Sequence, residues 1–188
     1  METKTANSTN RRYHGQLTAK IAEEITPYWK KMGYDVLSDH GISSENVGKI
    51  VSVIKKPYHK EDELSQLDIA IVKQGSNQVA VLIEIEETTD KPKTYLGDIF
   101  GVLLGEYICF KRKEIKVGYF TTLIVIGINK TNHETRNNYI RDKATRVKTN
   151  LGTQNAKIGN ILIKTYTDGG ELVTQLPSVL DEAIKGEL

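Results

Sequence analysis

The sequence predicts an α/β fold in which a central mixed β-sheet is flanked by helices. Stretches with apolar residues at helical spacing alternate with short β-rich runs, in the order αβββαβ and then αβα. The run Tyr119–Ile128 is apolar on both faces, as in a strand at the centre of a sheet. The chain has 188 residues and no internal repeat or linker, so we expect a flexible polar arm over residues 1–14 and one domain over residues 15–188.

The first predicted element is an amphipathic helix over Gly15–Met32, which Gly33 ends. The dipeptide Thr26-Pro27 predicts a kink or a restart within it. Its apolar positions are Leu17, Ile21, Ile25, Tyr28 and Met32.

Three strands are predicted next, after a loop over residues 38–48. They cover residues 49–56, 67–72 and 79–86, and the turn-rich segment QGSN joins the last two. We expect these strands to form an antiparallel meander.

Helices and strands alternate in the predicted second half. Pro92 precedes a helix over Thr94–Lys111, and a proline is well tolerated in a first helical turn. A stripe of glycines along this helix suits close packing on the sheet, or alternatively a homodimer contact, and consists of Gly97, Gly101 and Gly105. The other predicted elements are the strand Tyr119–Ile128, a polar helix beginning near His133, the strand Asn160–Tyr166 and a closing helix over Ser178–Lys185.

Acidic residues stand at the ends of two predicted buried strands. Asp68 opens one strand, and Glu84 and Glu86 close the next. Paired residues of an antiparallel hairpin have a constant sum of numbers, so a three-residue loop over residues 75–77 pairs Asp68 with Glu84. Glu86 then lies on the same face as Glu84. A two-residue loop would instead turn Asp68 to the opposite face.

Such a cluster of carboxylates needs a proton or a cation. Two carboxylates about 4 Å apart repel each other by roughly 4 kcal/mol at an effective dielectric constant near 20. Protonation of one carboxylate would relieve the repulsion. A hard dication, Mg²⁺ or Mn²⁺, is the better partner for oxygen ligands, and it supplies the charge that phosphodiester hydrolysis requires.

This pattern resembles the PD-(D/E)xK phosphodiesterase superfamily, which has the restriction-endonuclease-like fold. The likeness lies in an acid that opens a strand, Asp68, followed by a hairpin to E-I-E at residues 84–86, within an αβββαβ order over roughly residues 15–130. The resemblance implies a nuclease-like domain and a Mg²⁺-dependent DNA endonuclease. It implies that Asp68 and Glu84 bind the metal and that an acid of the first helix, Glu24, assists.

Two residues depart from the family pattern. Leu67 stands at the proline of the motif, and Glu86 stands where most members have lysine. The second departure resembles a minority of type II restriction enzymes with an E-x-E site, in which Glu86 would bind metal or activate the attacking water. It fits equally a catalytically inactive nucleic-acid-binding or assembly module of the same fold. If the lysine is displaced, Lys91 or Lys93 would replace it.

Basic residues suited to phosphate contacts are local, since the net charge of the chain is only +2. One group lies on the predicted polar helix and includes Arg136, Arg141 and Arg146. Lys91 and the tract Lys111-Arg112-Lys113 are the others. The alternative is that these charges form ordinary solvated surface.

Other classes of protein have little support in the sequence. A single cysteine, Cys109, excludes an intrachain disulfide and a thiolate zinc cluster, and the four histidines are scattered. The chain has no Gly-rich phosphate loop, dinucleotide fingerprint or serine-nucleophile elbow. It has a polar N-terminus and no apolar run of about 20 residues, so we expect a cytoplasmic protein with no membrane segment.

Overall fold

The computed structural model describes residues 15–41, 45–86, 92–128, 134–155 and 157–185, without the side chains of residues 92–94, 136, 153–155 and 185. The predicted arm over residues 1–14 and Lys91 lie outside the described residues. The helices are α1 (Gln16–Lys31), α2 (Pro92–Leu103), α3 (Glu134–Asn155) and α4 (Gly169–Lys185). The strands are β1 (Tyr34–Ser38), β2 (Ile50–Val53), β3 (Glu63–Leu67), β4 (Ile69–Lys73), β5 (Val79–Glu86), β6 (Tyr107–Phe110), β7 (Lys113–Lys116), β8 (Thr122–Ile128) and β9 (Asn160–Tyr166).

Five strands form a large mixed sheet in the order β1-β4-β5-β8-β9. The β1–β4 and β4–β5 pairs are antiparallel, and the β5–β8 and β8–β9 pairs are parallel. Helices α1 and α4 cover one face, whereas α2 and α3 pack against the other. The prediction of an α/β fold with a mixed sheet flanked by helices is therefore confirmed.

Four strands form a small antiparallel sheet in the order β3-β2-β6-β7. The predicted meander is wrong, because the strand predicted over residues 49–56 lies in this second sheet as β2. The strand that pairs with β4 is instead β1, which was not predicted. Strand β1 is five residues long and includes Asp35, so its apolar pattern is short. The order αβββαβ nevertheless describes the large sheet, as α1, β1, β4, β5, α2 and β8.

The helix predicted over Thr94–Lys111 is too long, since α2 ends at Leu103 and residues 107–110 form β6. The predicted glycine stripe is also not a single packing surface. A Cβ atom on Gly97 would meet open space, whereas one on Gly101 would lie 2.7 Å from the Cβ atom of Ser65 on β3. Gly105 lies beyond the end of α2.

The remaining predictions of elements are largely confirmed. Helix α1 runs through Pro27 as one element, without the predicted restart. Strands β8 and β9 and the polar helix α3 lie where they were predicted. Helix α4 begins at Gly169, well before the predicted Ser178, and Pro177 lies inside it. Among the described residues, no helix is both long and apolar enough to cross a bilayer.

The two sheets are joined by one residue of the chain and by a bridge between Gln78 and Lys116. Asp68 alone separates β3 of the small sheet from β4 of the large sheet. Leu67, the residue before it, begins a row of paired residues across the small sheet, Leu67–Ile50–Phe110–Lys113.

Candidate functional site

The hairpin of β4 and β5 has the predicted register at its acidic end. Ile69 pairs with Ile83, and the same register continues to Ile71 and Val81, so Asp68 precedes β4 opposite Glu84. The loop is nevertheless not the predicted one. The Lys73 N–H contacts the Gln78 carbonyl at 3.4 Å, which leaves the four residues 74–77 in the loop.

A β-bulge restores the register that the longer loop would have shifted. The pairing changes between Ile71 and Val72, where Val72 pairs with Val79 and Ala80 becomes the extra residue of β5. The predicted register at the acidic end is confirmed. It results from two departures that cancel, a loop one residue longer than predicted and the bulge at Ala80.

The three predicted acids gather at one end of the large sheet. Ala70 and Leu82 belong to the core on the α2 side. Side chains two residues apart on a strand point the same way, so Glu84 also faces α2. Asp68 lies before β4, and its carboxylate also reaches Thr18 of α1, the helix on the other face. Glu86 continues the Glu84 face of β5 and is half-buried at the end of the strand.

Asp68 is held by groups from three parts of the chain. Its side chain is buried, with 8% of the residue exposed. The Ile85 N–H donates to Asp68 Oδ2 at 2.7 Å, and the hydroxyl of Thr18, on α1, donates to Oδ1 at 3.5 Å. The Asp39 N–H donates to the backbone carbonyl of Asp68 at 2.9 Å. These contacts fix the direction of the Asp68 carboxylate.

The Glu84 carboxylate is only partly satisfied by hydrogen bonds. Its Oε2 atom is buried and has no hydrogen-bond partner among the described residues. Burial is the largest cause that raises the pKa of Glu84 well above its usual range, followed by the charges of Asp68, Asp98, Asp39 and Glu86. We call these five residues the acidic cluster: Asp39, Asp68, Glu84, Glu86 and Asp98.

Two members of this cluster, Asp39 and Asp98, were not predicted from the sequence. Asp98 is half-buried on α2, one position before the buried Ile99. Burial and then the charge of Glu86 raise the pKa of Asp98 to about 6. An acid within the apolar stripe of a helix was the available signal for Asp98. Asp39 follows β1, so its place was not predictable without that strand.

Asp39 also has local partners. Asp39 Oδ1 lies 2.7 Å from Nδ1 of His40, and the side-chain amide of Gln66 donates to Asp39 Oδ2 at 3.3 Å. The Asp39 side chain is almost fully buried. It therefore contributes charge to the cluster from within the fold.

Glu24 is not brought to the acidic cluster. It is exposed on α1, whereas the residue of α1 that contacts Asp68 is Thr18. Six residues separate the two, which is about 9 Å along the helix axis and a rotation of about 120° to another face. The structure thus does not bring Glu24 to the acidic cluster, and the α1 residue that contacts Asp68 is Thr18.

The predicted basic residues are placed only in part. Lys93 lies in the first turn of α2 and Arg136 near the start of α3, but their side chains are outside the described part of the chain. Arg141 and Arg146 are exposed on α3.

Helix α3 begins at the same edge as the acidic cluster. Glu86, Gly127 and Thr165 form one row across β5, β8 and β9. The side-chain amide of Asn137 on α3 donates to the Thr165 hydroxyl at 2.6 Å. Arg141 is four residues further, about 6 Å along the axis, so it is the described arginine of α3 nearest to this edge.

The cluster can be tested for its fit to a dication. Among the described residues, no three Asp, Glu, His or Cys side chains form a group that could hold a metal ion as they stand. The donor set is nevertheless the one that Mg²⁺ or Mn²⁺ prefers, because it consists of carboxylate oxygens. The unpartnered Glu84 Oε2 also needs a proton or a cation, since a buried carboxylate oxygen without one is costly. Asp68 and Glu84 are the two carboxylates that could share an ion, but a third ligand is not in place among the described residues.

Comparison of the chain with protein-family models, with curated proteins and with solved structures found no match. The function must therefore be inferred from the chemistry of the acidic cluster.

Proposed function

We propose that this chain is an endonuclease of restriction-endonuclease-like fold that hydrolyses DNA phosphodiester bonds with Mg²⁺ or Mn²⁺. The observation that carries the proposal is the buried Glu84 carboxylate. One of its oxygens has no hydrogen-bond partner among the described residues, and Asp68, the residue before β4, follows the register that sets it opposite Glu84. The αβββαβ order around the large sheet gives further support.

The residues of the cluster would divide the work of hydrolysis. Asp68 and Glu84 would hold the cation, which would supply the positive charge that phosphodiester hydrolysis needs. Glu86 would orient the attacking water and accept its proton. Asp98, whose pKa is raised to about 6, can exchange a proton near neutral pH.

Cations outside the cluster would position the DNA. Lys93 would stand where α2 begins and neutralise the phosphate that is cut. Phosphate contacts on either side would come from Lys91, Arg136, Arg141 and Arg146. A homodimer in the cytoplasm would bring two such sites to the two strands of a duplex.

A catalytically inactive nucleic-acid-binding or assembly module of the same fold is the second candidate. Two observations favour it. Glu86 stands where the resembled family has lysine, and no ready-made metal group is present among the described residues. Both candidates place DNA at the same edge, so cleavage separates them.

The deciding experiment is cleavage of supercoiled plasmid DNA with Mg²⁺ or Mn²⁺. We expect nicked or linear product, and its loss when EDTA removes the metal. Asp68→Asn and Glu84→Gln keep side-chain shape and remove a ligand charge, so each should lower the rate by at least about a hundredfold. Glu23→Gln, on an exposed position of α1, is the matched control and should cleave like the wild type.

Two other outcomes would change the conclusion. Cleavage that persists in excess EDTA, or in both cluster variants, contradicts the metal-dependent nuclease. Binding of DNA without cleavage in either metal supports the inactive module instead.

A further inference from the structure

Two large aromatic side chains stand at the centre of the turn that precedes β8. The Thr121 N–H donates to the Gly118 carbonyl at 2.8 Å, so Tyr119 and Phe120 are the central residues of a four-residue turn. They are 55% and 66% exposed, and Phe120 is the most exposed large apolar side chain among the described residues. Small or polar residues are usual at the centre of such turns. The turn therefore presents aromatic surface to solvent that turn formation does not need.

The backbone of this turn is held on both sides. The Thr121 hydroxyl donates to the Val79 carbonyl at 2.7 Å and accepts from the Gly118 N–H at 3.0 Å. The Thr121 carbonyl accepts from the Gly159 N–H at 2.9 Å. Tyr119 and Phe120 thus stand on a fixed support, so a ligand that binds them does not have to order the backbone first.

Phe120 lines two neighbouring hollows in the surface. The larger hollow has a volume of about 340 Å³, and its lining includes Tyr107, Lys116, Tyr119, Phe120 and Lys157. The smaller hollow has a volume of about 250 Å³ and is lined by Lys73, Gln78, Val79, Ala80 and Phe120. These volumes are near the lower end for pockets that hold small molecules, so each hollow suits a single ring system.

Lysines line both hollows. Lys73 belongs to the smaller hollow, and Lys116 and Lys157 belong to the larger one. Lys73 and Lys116 are exposed and form no ion pair among the described residues, whereas Lys157 lies 3.9 Å from Glu106. Glu106 is the one acid among the described residues that line the hollows. The surface is therefore positively charged beside its aromatic rings, which suits a ligand that alternates flat rings with anions.

The hollows lie at the other end of the large sheet from the acidic cluster. Thr122 begins β8 directly after the turn, and Gly127, five residues further along the strand, pairs with Glu86. Five residues of a strand span about 17 Å. A ligand of the hollows would therefore occupy a site separate from the acidic cluster.

We propose that Tyr119 and Phe120 form a stacking platform for single-stranded nucleic acid. Two successive bases occupy the two hollows and stack on the aromatic rings, and Lys73 and Lys116 contact the phosphates on either side. A duplex does not bind in this way, because its bases are already stacked on one another. The platform is a binding site beyond the proposed function and does not depend on cleavage.

The test is binding of a fluorescein-labelled strand of about ten deoxythymidines, measured by anisotropy in EDTA. Phe120→Ala should lower the affinity about five- to hundredfold because stacking is lost, and Phe120→Trp should keep the affinity of the wild type. The thermal midpoint of unfolding of Phe120→Ala should stay within about 2 °C of the wild type, since the side chain is exposed. Lys73→Gln and Lys116→Gln should each make the slope of log affinity against log salt less steep by about 0.7.

Tyr139→Ala and Lys20→Gln are the matched controls. Tyr139 is 51% exposed on α3, two residues from Asn137, and Lys20 is exposed on α1, two residues from Thr18. Asn137 and Thr18 make their contacts at the acidic end of the large sheet, so both controls lie far from the turn. Each control should bind the strand as the wild type does.

Four results would overturn the platform. They are a wild type that does not bind the strand, a Phe120→Ala variant that binds as tightly as the wild type, equal affinity for a duplex of the same length, and displacement of the strand by an equal concentration of thymidine monophosphate. The last result would make the hollows a site for free nucleotides. None of these results bears on plasmid cleavage, so the nuclease proposal stands or fails separately.

Discussion

Burial and four neighbouring carboxylates all act on a single residue, Glu84, and raise its pKa. The native state therefore holds the Glu84 proton more tightly than the unfolded chain, where the pKa is near 4.5. The stability that this proton provides is complete below that pH and is lost as the pH rises. At neutral pH without metal, the folded protein therefore keeps Glu84 protonated at a cost in stability, and a dication that replaced the proton would offset that cost.

The first prediction at this scale concerns Glu84→Gln. The variant removes the charge and keeps the shape, so in EDTA at pH 8 its free energy of unfolding should exceed that of the wild type by about 1 kcal/mol or more. Mn²⁺ at about 100 times its dissociation constant should stabilise the wild type by about 2.7 kcal/mol and the variant much less. Urea unfolding with and without Mn²⁺ measures both differences. A variant less stable than the wild type in EDTA would show that the fold already satisfies this carboxylate.

The acids on the strands were predictable, and those outside them were not. Period-two spacing places Glu84 and Glu86 on one face, and the hairpin brings Asp68 opposite Glu84 because the longer loop and the bulge cancel. Asp98 reaches them from a helix in a different part of the chain, and its distance from the strand ends depends on how α2 packs. The position of Glu24 was not predictable for the same reason, because no sequence pattern fixes where along a sheet a helix packs.

At the scale of elements, α2 crosses β3 at a point where only a hydrogen atom fits. A Cβ atom on Gly101 would lie 2.7 Å from Ser65 Cβ and 3.0 Å from the Leu64 carbonyl oxygen. Gly97, one turn earlier, faces open space. The two glycines therefore form a matched pair on one helix.

Alanine at each position should give opposite results. Gly97→Ala gains helix propensity and should raise the free energy of unfolding by up to about 1 kcal/mol. Gly101→Ala gains the same propensity but forces α2 from β3, with a net loss of about 1–3 kcal/mol. Urea denaturation of both variants and the wild type measures the difference. Equal stability of the two would mean that α2 does not lie as close to β3 as the structure has it.

The errors in element prediction have local causes. The apolar stretch after Pro92 continues past Leu103, so spacing alone did not reveal that β6 begins at Tyr107. Pro177 resembles a helix boundary, and α4 nevertheless runs through it. The loop of the β4–β5 hairpin was predicted one residue too short, and the bulge that compensates leaves no mark in the sequence.

At the scale of the whole molecule, opposing titrations set the stability. The Lys49 ammonium and the Tyr58 hydroxyl lower the pKa of Glu63. The ionised Glu63 therefore stabilises the fold, and this stabilisation is lost as the pH falls below about 4.5. Asp98 acts in the opposite direction, because its pKa rises from 3.8 to about 6 in the fold. Its contribution is complete below pH 3.8 and is lost as the pH rises through 6.

We therefore expect the metal-free protein to be most stable at about pH 4 to 4.5 and to lose stability toward neutral pH. Asp98→Asn should remove the part of the decline in the free energy of unfolding between about pH 4 and 6 that Asp98 causes. It should leave the loss at lower pH, which comes from Glu63, unchanged. Urea unfolding in EDTA across this range measures the profile. A wild-type profile that matches the variant at every pH would show that Asp98 titrates as it does in the unfolded chain.

The single residue between the two sheets connects their mechanics. Asp68 is a step of the backbone from one sheet to the other, and its carboxylate is also bound to the Ile85 N–H. The small sheet is also attached at the loop end of the β4–β5 hairpin, where the Lys116 N–H donates to the Asn77 carbonyl at 3.0 Å. With an attachment at each end of that hairpin, the acidic cluster is built on a frame that resists twisting.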